Sequence, residues 1–173
     1  MDPRVGNAAY IVKLPEQIGN LLVLAAVVYL SAGWAAAGVG EPTELHILQK
    51  WSGDYPVAHL HRLPQGKLKA GVGYIDDKFL FEGVWEIFKP GEPLPEVDFG
   101  TQMVVFYRNT AFYNRTNIVK VTLRDGNAEI IAIETRSALP IEDKVAMAMV
   151  VIPRAGVKFI QAGSERVPVT AVQ

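Results

Sequence analysis

The fold class is decided by residues 117–135, which read NIVKVTLRDGNAEIIAIET. Two segments rich in apolar residues, 117–124 and 128–135, flank a polar break at Asp125–Gly126 or Gly126–Asn127. Such residue pairs favour the left-handed backbone of short hairpin turns. The stretch therefore predicts an antiparallel β-hairpin, and it indicates a mainly β chain.

Further strands are predicted on both sides of this hairpin. Residues 103–107 are apolar throughout, which is typical of a central strand. Residues 52–54, Ser-Gly-Asp, predict a turn, because glycine and aspartate both favour turn conformations. The remaining predicted strands are 45–51, 57–63, 68–75, 145–152, 156–161 and 167–172.

One segment has the pattern of an α-helix. Asp76 and Asp77 are suited to its start, since a carboxylate accepts hydrogen bonds from free N–H groups and favours the positive end of the helix dipole. The apolar residues then recur at helical spacing, at Phe81, Val84, Trp85 and Phe88. Together the elements predict an antiparallel β-sandwich or curled sheet with one packed α-helix.

An apolar segment precedes this domain. Residues 17–40 contain no charged side chain, and the pattern predicts that residues 1–37 are a secretory signal peptide. An uncleaved membrane anchor through Leu21–Val39 is the main alternative, and a buried soluble helix is a third. We expect a linker at 38–44 and a β-rich domain at 45–173, located in the periplasm or anchored in the inner membrane with the domain outside the cytoplasm.

Composition excludes several functional classes. The 173 residues carry 17 basic and 18 acidic side chains, a net charge of -1, so general nucleic-acid binding is not expected. The absence of cysteine excludes disulfides, thiolate metal sites and cysteine nucleophiles. The sequence also lacks the common hydrolase, zinc-protease, phosphate-loop and dinucleotide motifs. We therefore expect a non-catalytic protein without an obligatory cofactor.

Several segments together carry a family resemblance. They are Tyr74–Asp77, the helix with Phe81 and Trp85, Leu94–Phe99, Met103–Val105 and Val150–Arg154. Over roughly residues 55–160 the chain resembles the C-terminal domain family of the protease complex subunit PrcB. The resemblance implies a β-rich, exported, non-catalytic accessory domain. The chain departs from the family at 108–116, where a glycine-rich turn is common, and it has no cysteine to carry the lipid found in some members.

A candidate partner-binding segment lies between two predicted strands. It combines arginine, asparagine and aromatic side chains, and arginine and aromatic residues are concentrated in protein interfaces. The predicted contact residues are Arg108, Asn109, Phe112, Tyr113, Asn114 and Arg115. The alternative is an ordered hairpin loop in which the asparagines bond nearby backbone. The partner would be another exported or membrane protein.

A second candidate site is the pair His59 and His61. In a strand the two rings would project from the same face, where they could bind Cu or Zn. His46, the third histidine of the chain, would have to lie on a neighbouring strand to join them. The alternative is a solvated strand face, with Ala58 and Leu60 directed inward.

Overall fold

Two stacked β-sheets form the protein. A computed structural model describes residues 40–109, 115–135 and 142–170, and these residues form two five-stranded sheets and one α-helix. In spatial order, sheet A contains β1 (Thr43–Glu44), β6 (Arg115–Arg124), β7 (Asn127–Thr135), β9 (Phe159–Ala162) and β10 (Glu165–Pro168). Sheet B contains β2 (Gln49–Pro56), β8 (Lys144–Pro153), β5 (Gln102–Arg108), β4 (Val72–Ile75) and β3 (Leu68–Lys69). The mainly β fold class is confirmed.

Sheet B is the middle layer of the molecule. Along β5, Val104 and Phe106 face the core shared with the helix, whereas Met103 and Val105 face the core shared with sheet A. The apolar run predicted as a central strand is therefore buried on both faces. Alternation of side chains along a strand accounts for the two separate cores.

The third layer is the helix α1 (Lys78–Phe88). Its start is as predicted, because the Asp77 side chain accepts a hydrogen bond from the Leu80 backbone N–H at 2.8 Å. All four residues of the predicted apolar face are buried against sheet B, namely Phe81, Val84, Trp85 and Phe88. The predicted packed helix is therefore confirmed.

The hairpin that decides the fold class is present. β6 pairs with β7 in antiparallel register, and Asp125 and Gly126 have φ values of 51° and 81°. Two successive residues of positive φ are typical of the tight turns that match strand twist. The pairing of β7 with β9 is parallel, which differs from the fully antiparallel arrangement that was predicted.

The predicted turn at 52–54 is wrong. These residues lie inside β2, and the strand begins at Gln49 rather than Leu45. Gly53 serves packing instead of turning, since a Cβ there would lie 3.2 Å from Cε2 of the Phe88 ring. The glycine therefore allows α1 to approach the sheet closely.

The predicted strand at 57–63 is also wrong. Residues Val57–Arg62 form a 3-10 helix, followed by a short 3-10 turn at Gln65–Lys67. The ladder between β2 and β8 ends where Pro56 meets Lys144, so the chain beyond it has no strand to pair with. The predicted strand 68–75 is divided into β3 and β4 by a turn in which Ala70 has a φ of 51°.

The predicted signal peptide or anchor at 1–37, including nearly all of Leu21–Val39, lies outside the described residues. The predicted linker is shorter at its carboxyl end, because Thr43 and Glu44 pair with β6 as strand β1. Within the ranges that the structure describes, no helix is both long and apolar enough to cross a bilayer.

Candidate binding site

Strand β2 forms an open edge of sheet B. Val57, which follows it, donates a backbone hydrogen bond to the Asp143 carbonyl at 2.9 Å, on the side that faces β8. Because successive residues of an antiparallel ladder alternate in direction, Lys50, Ser52 and Asp54 point their backbone N–H and C=O groups away from β8. None of the described strands pairs with this side of β2. The edge therefore presents a row of unpaired backbone groups.

A second open edge faces it from sheet A. β1 is only two residues long and pairs with Thr122 and Leu123 of β6, so no described strand pairs with the first half of β6 on that side. Between the two edges lies a groove of about 620 Å³. Its lining comes from residues 50–54 of β2 and residues 115–117 of β6. Across it, the Ser52 hydroxyl lies 3.5 Å from Oδ1 of Asn117.

One polar group of the groove has no partner. The Thr116 residue is 1% exposed, and no described residue lies within hydrogen-bond distance of its hydroxyl oxygen. Buried polar atoms in folded proteins are nearly always hydrogen-bonded, so the unpaired Thr116 hydroxyl beside this groove is an exception.

The charges of the groove are unevenly paired. Asp54 is already engaged by Lys144, whose Nζ lies 2.6 Å from Oδ2 of Asp54. This hydrogen bond and the negative charge of Asp54 raise the pKa of Lys144. Lys50 and Arg115, in contrast, have no acidic side chain within ion-pair distance among the described residues. Among the described residues, the groove therefore has two cations without an ion-pair partner.

Of the three predicted partner-binding residues that the structure describes, only Arg115 lines this groove. Arg108 ends β5 and is half-buried, and its backbone N–H donates to the Gly71 carbonyl at 2.7 Å. Burial lowers the pKa of Arg108, and the charge of Glu165 opposes that effect. Asn109 donates its side-chain N–H to the Glu134 carboxylate. Phe112, Tyr113 and Asn114 lie outside the described residues.

The histidine pair is placed differently from its prediction. His59 and His61 lie in the 3-10 helix rather than in a strand, with ring centroids 6.3 Å apart. His46 lies in the exposed connection between β1 and β2, not on a neighbouring strand. In the part of the chain that the structure describes, no third histidine or carboxylate joins the pair in a possible metal cluster.

Sequence reasoning missed the β2 side of the groove. Lys50, Ser52 and Thr116 give no motif, and the site exists only because the strand order leaves β2 and β6 at facing edges. The one available signal was Arg115, as the last residue of the predicted partner-binding segment 108–115.

Comparison of the chain with protein-family models, with curated proteins and with solved structures finds no match.

Proposed function

We propose that the protein is a non-catalytic interaction module that binds an extended segment of a partner protein along the open edge of β2. The observation that carries this proposal is the outward row of backbone groups at Lys50, Ser52 and Asp54. A peptide that adds a strand to such an edge gains main-chain hydrogen bonds whatever its sequence, and its side chains supply specificity.

The charges of the groove favour an acidic segment. Lys50 and Arg115 are free of described ion pairs, whereas Asp54 is neutralised by Lys144. A carboxylate placed between the two free cations would gain attraction at little cost, since both cations keep their access to solvent. Complementary charge mainly sets selectivity and the rate of encounter.

The proposed setting is outside the cytoplasm. It is supported by the uncharged apolar segment at 17–40 and by the resemblance to the PrcB C-terminal domain family. The partner would then be another exported protein or a membrane protein. If residues 21–39 are retained as an anchor, the module would instead be a subunit of a membrane complex.

The strand-addition proposal is tested with a proline at the open edge. Ser52→Pro removes an N–H that points away from β8, so the ladder between β2 and β8 stays intact, as edge strands permit. The full chain, tagged and expressed in its native host, is purified with its bound proteins, which are quantified by mass spectrometry. We expect Ser52→Pro to lower partner recovery about tenfold, the equivalent of about 1.4 kcal/mol of lost hydrogen bonding.

The matched control is Ser52→Ala, which keeps the backbone N–H and should recover the partner like the unaltered chain. Arg115→Glu provides a second variant, because it reverses one free charge at an exposed position. It should also reduce recovery, and 0.5 M salt should weaken binding of the unaltered chain. If Ser52→Pro and Arg115→Glu each recovered as much partner as the unaltered chain, the proposal would be contradicted. The absence of any bound protein would also contradict it.

The setting is tested separately by fractionation and intact mass. A periplasmic protein that lacks residues 1–37 would support a cleaved signal peptide. A membrane-bound protein of full mass would support the anchored subunit. Recovery of the full-length protein from the cytoplasm would refute export altogether.

A second candidate function is binding of Cu or Zn by His59 and His61. The observation that favours it is the His59 Nδ1 atom, which is buried and has no hydrogen-bond partner among the described residues. Equilibrium dialysis against Cu(II) and Zn(II) decides the matter. Metal bound by the unaltered chain and lost in the double variant His59→Ala, His61→Ala would support it, and equal binding by the two would refute it.

A further inference from the structure

The outward face of α1 has a composition unlike that of a solvated helix. Phe79, Glu82, Gly83 and Glu86 recur at helical spacing, directly opposite the buried face of the same helix. These residues border a shallow groove of about 540 Å³, together with Leu80 and with Arg62 of the 3-10 helix. No described element covers it.

Phe79 is the most exposed large apolar side chain among the described residues, at 84%. Because the ring is exposed to solvent, it contributes little to the core. Contact with a partner could therefore remove most of the apolar surface of this ring from water. Rigid aromatic side chains of this kind are the common anchors of protein interfaces.

Gly83 adds a flat surface beside that ring. A Cβ built at this position meets nothing within 4 Å, so the fold itself does not require glycine. Within a helix, glycine is less favourable than alanine. The missing side chain exposes the helix backbone and allows the backbone of a second element to approach closely.

The charged residues that border this face are Glu82, Glu86 and Arg62, so its net charge is negative. Glu82 and Glu86 are four residues apart on one helix, and neither has an ion pair among the described residues. Like charges at this spacing destabilise a helix. A cationic partner would remove that cost.

We propose that this face of α1 docks a basic amphipathic helix of a partner protein. Phe79 would insert into the apolar stripe of that helix, Gly83 would permit close approach of the two axes, and Glu82 and Glu86 would pair with its lysines or arginines. A helix fits better than a strand, because a helical face offers no backbone groups with which a strand could pair. This surface is separate from the β2 edge and does not rest on the function proposed there.

The test replaces Phe79 by the photoreactive residue p-benzoylphenylalanine in the full chain, in its native host. We expect crosslinks to a second protein, at a segment with net positive charge and helical spacing of its apolar residues. The double variant Glu82→Lys, Glu86→Lys should lower the crosslink yield at least fivefold. Gly83→Leu should do the same by blocking close approach.

Two controls separate this surface from others. The same photoreactive residue at Glu129, exposed on β7, should give no crosslink to that segment, and Glu129→Lys should leave the yield from position 79 unchanged. Ser52→Pro should also leave it unchanged, so failure here and failure at the β2 edge are distinguishable. No crosslink from position 79, or a crosslink to lipid, to an acidic segment or to a second copy of this chain, would overturn the proposal.

Discussion

Strands β2 and β8 are neighbours in the same sheet, yet they differ in burial and in the number of strands that pair with them. β8 is buried at every position from Val145 to Ile152, and it pairs with β2 on one side and β5 on the other. β2 buries only its helix-facing side, and its second edge is open. The comparison indicates that the inner strand β8 contributes more to stability through burial, whereas the edge strand β2 keeps backbone groups open on one side.

The largest expected effect is at the inner strand β8. Met149 of β8 is fully buried in the core beneath α1, so Met149→Ala should lower the free energy of unfolding by about 2–5 kcal/mol. Ser52→Ala on β2 is the control, and its exposed position predicts a change within about 0.5 kcal/mol. Urea unfolding measures both. Similar losses of stability at the two positions would contradict the proposed difference between the inner strand β8 and the edge strand β2.

A smaller effect is expected at Tyr55, a buried residue of β2. Burial raises the pKa of Tyr55 to about 12, and the charge of Arg62 opposes this. The unfolded phenol ionises first, near pH 10, so this contribution to stability is complete below pH 10 and is lost as pH rises through 12. The loss by pH 12 should be about 2 kcal/mol.

The measurement is urea unfolding between pH 9 and pH 12, for the unaltered chain and for Tyr55→Phe. The difference between the two isolates Tyr55 from other groups that titrate in this range. Absorbance near 295 nm should show one tyrosine that ionises late and is missing in the variant. Identical pH dependence in both proteins would show that the inner side of β2 is less well buried than that of β8.

The smallest predicted effect concerns the helix that covers both strands. Asp77→Ala removes the side-chain hydrogen bond to the Leu80 N–H, and it should destabilise the protein by about 1 kcal/mol. Asp77→Asn, which preserves an acceptor, should retain most of the stability. Equal losses in the two variants would show that charge, rather than the hydrogen bond, is what the helix start requires.

The same contrast explains what the sequence could predict. The continuous apolar run of β8 and the 3.6-residue spacing of apolar residues in α1 both result from burial. Each pattern is therefore visible in the sequence. The tight turn at Asp125–Gly126 also has a local cause, because an Asp-Gly pair favours the positive φ values that both residues adopt. Each of these elements was predicted within a few residues of its observed position.

β2 could not be predicted in the same way. Its Ser52–Gly53–Asp54 sequence is typical of a turn, but pairing with β8 and contact with Phe88 override that local preference. The groove depends on strand order, which no local pattern encodes. Lys50 and Arg115 are far apart in the sequence, and they line one groove because the fold brings β2 and β6 together.

The position of β8 along the chain has a consequence for folding. The pairing of Gln49 with Val151 joins residues that are far apart in the sequence. β5 also pairs with β8, so both β2 and β5 depend on this later strand. The hairpin of β6 and β7 can form from local contacts, but sheet B cannot be completed until β8, which follows both β2 and β5 in the chain, has been synthesised. We therefore expect slow, late assembly of this sheet, with apolar strands exposed in the interval and in need of protection from aggregation.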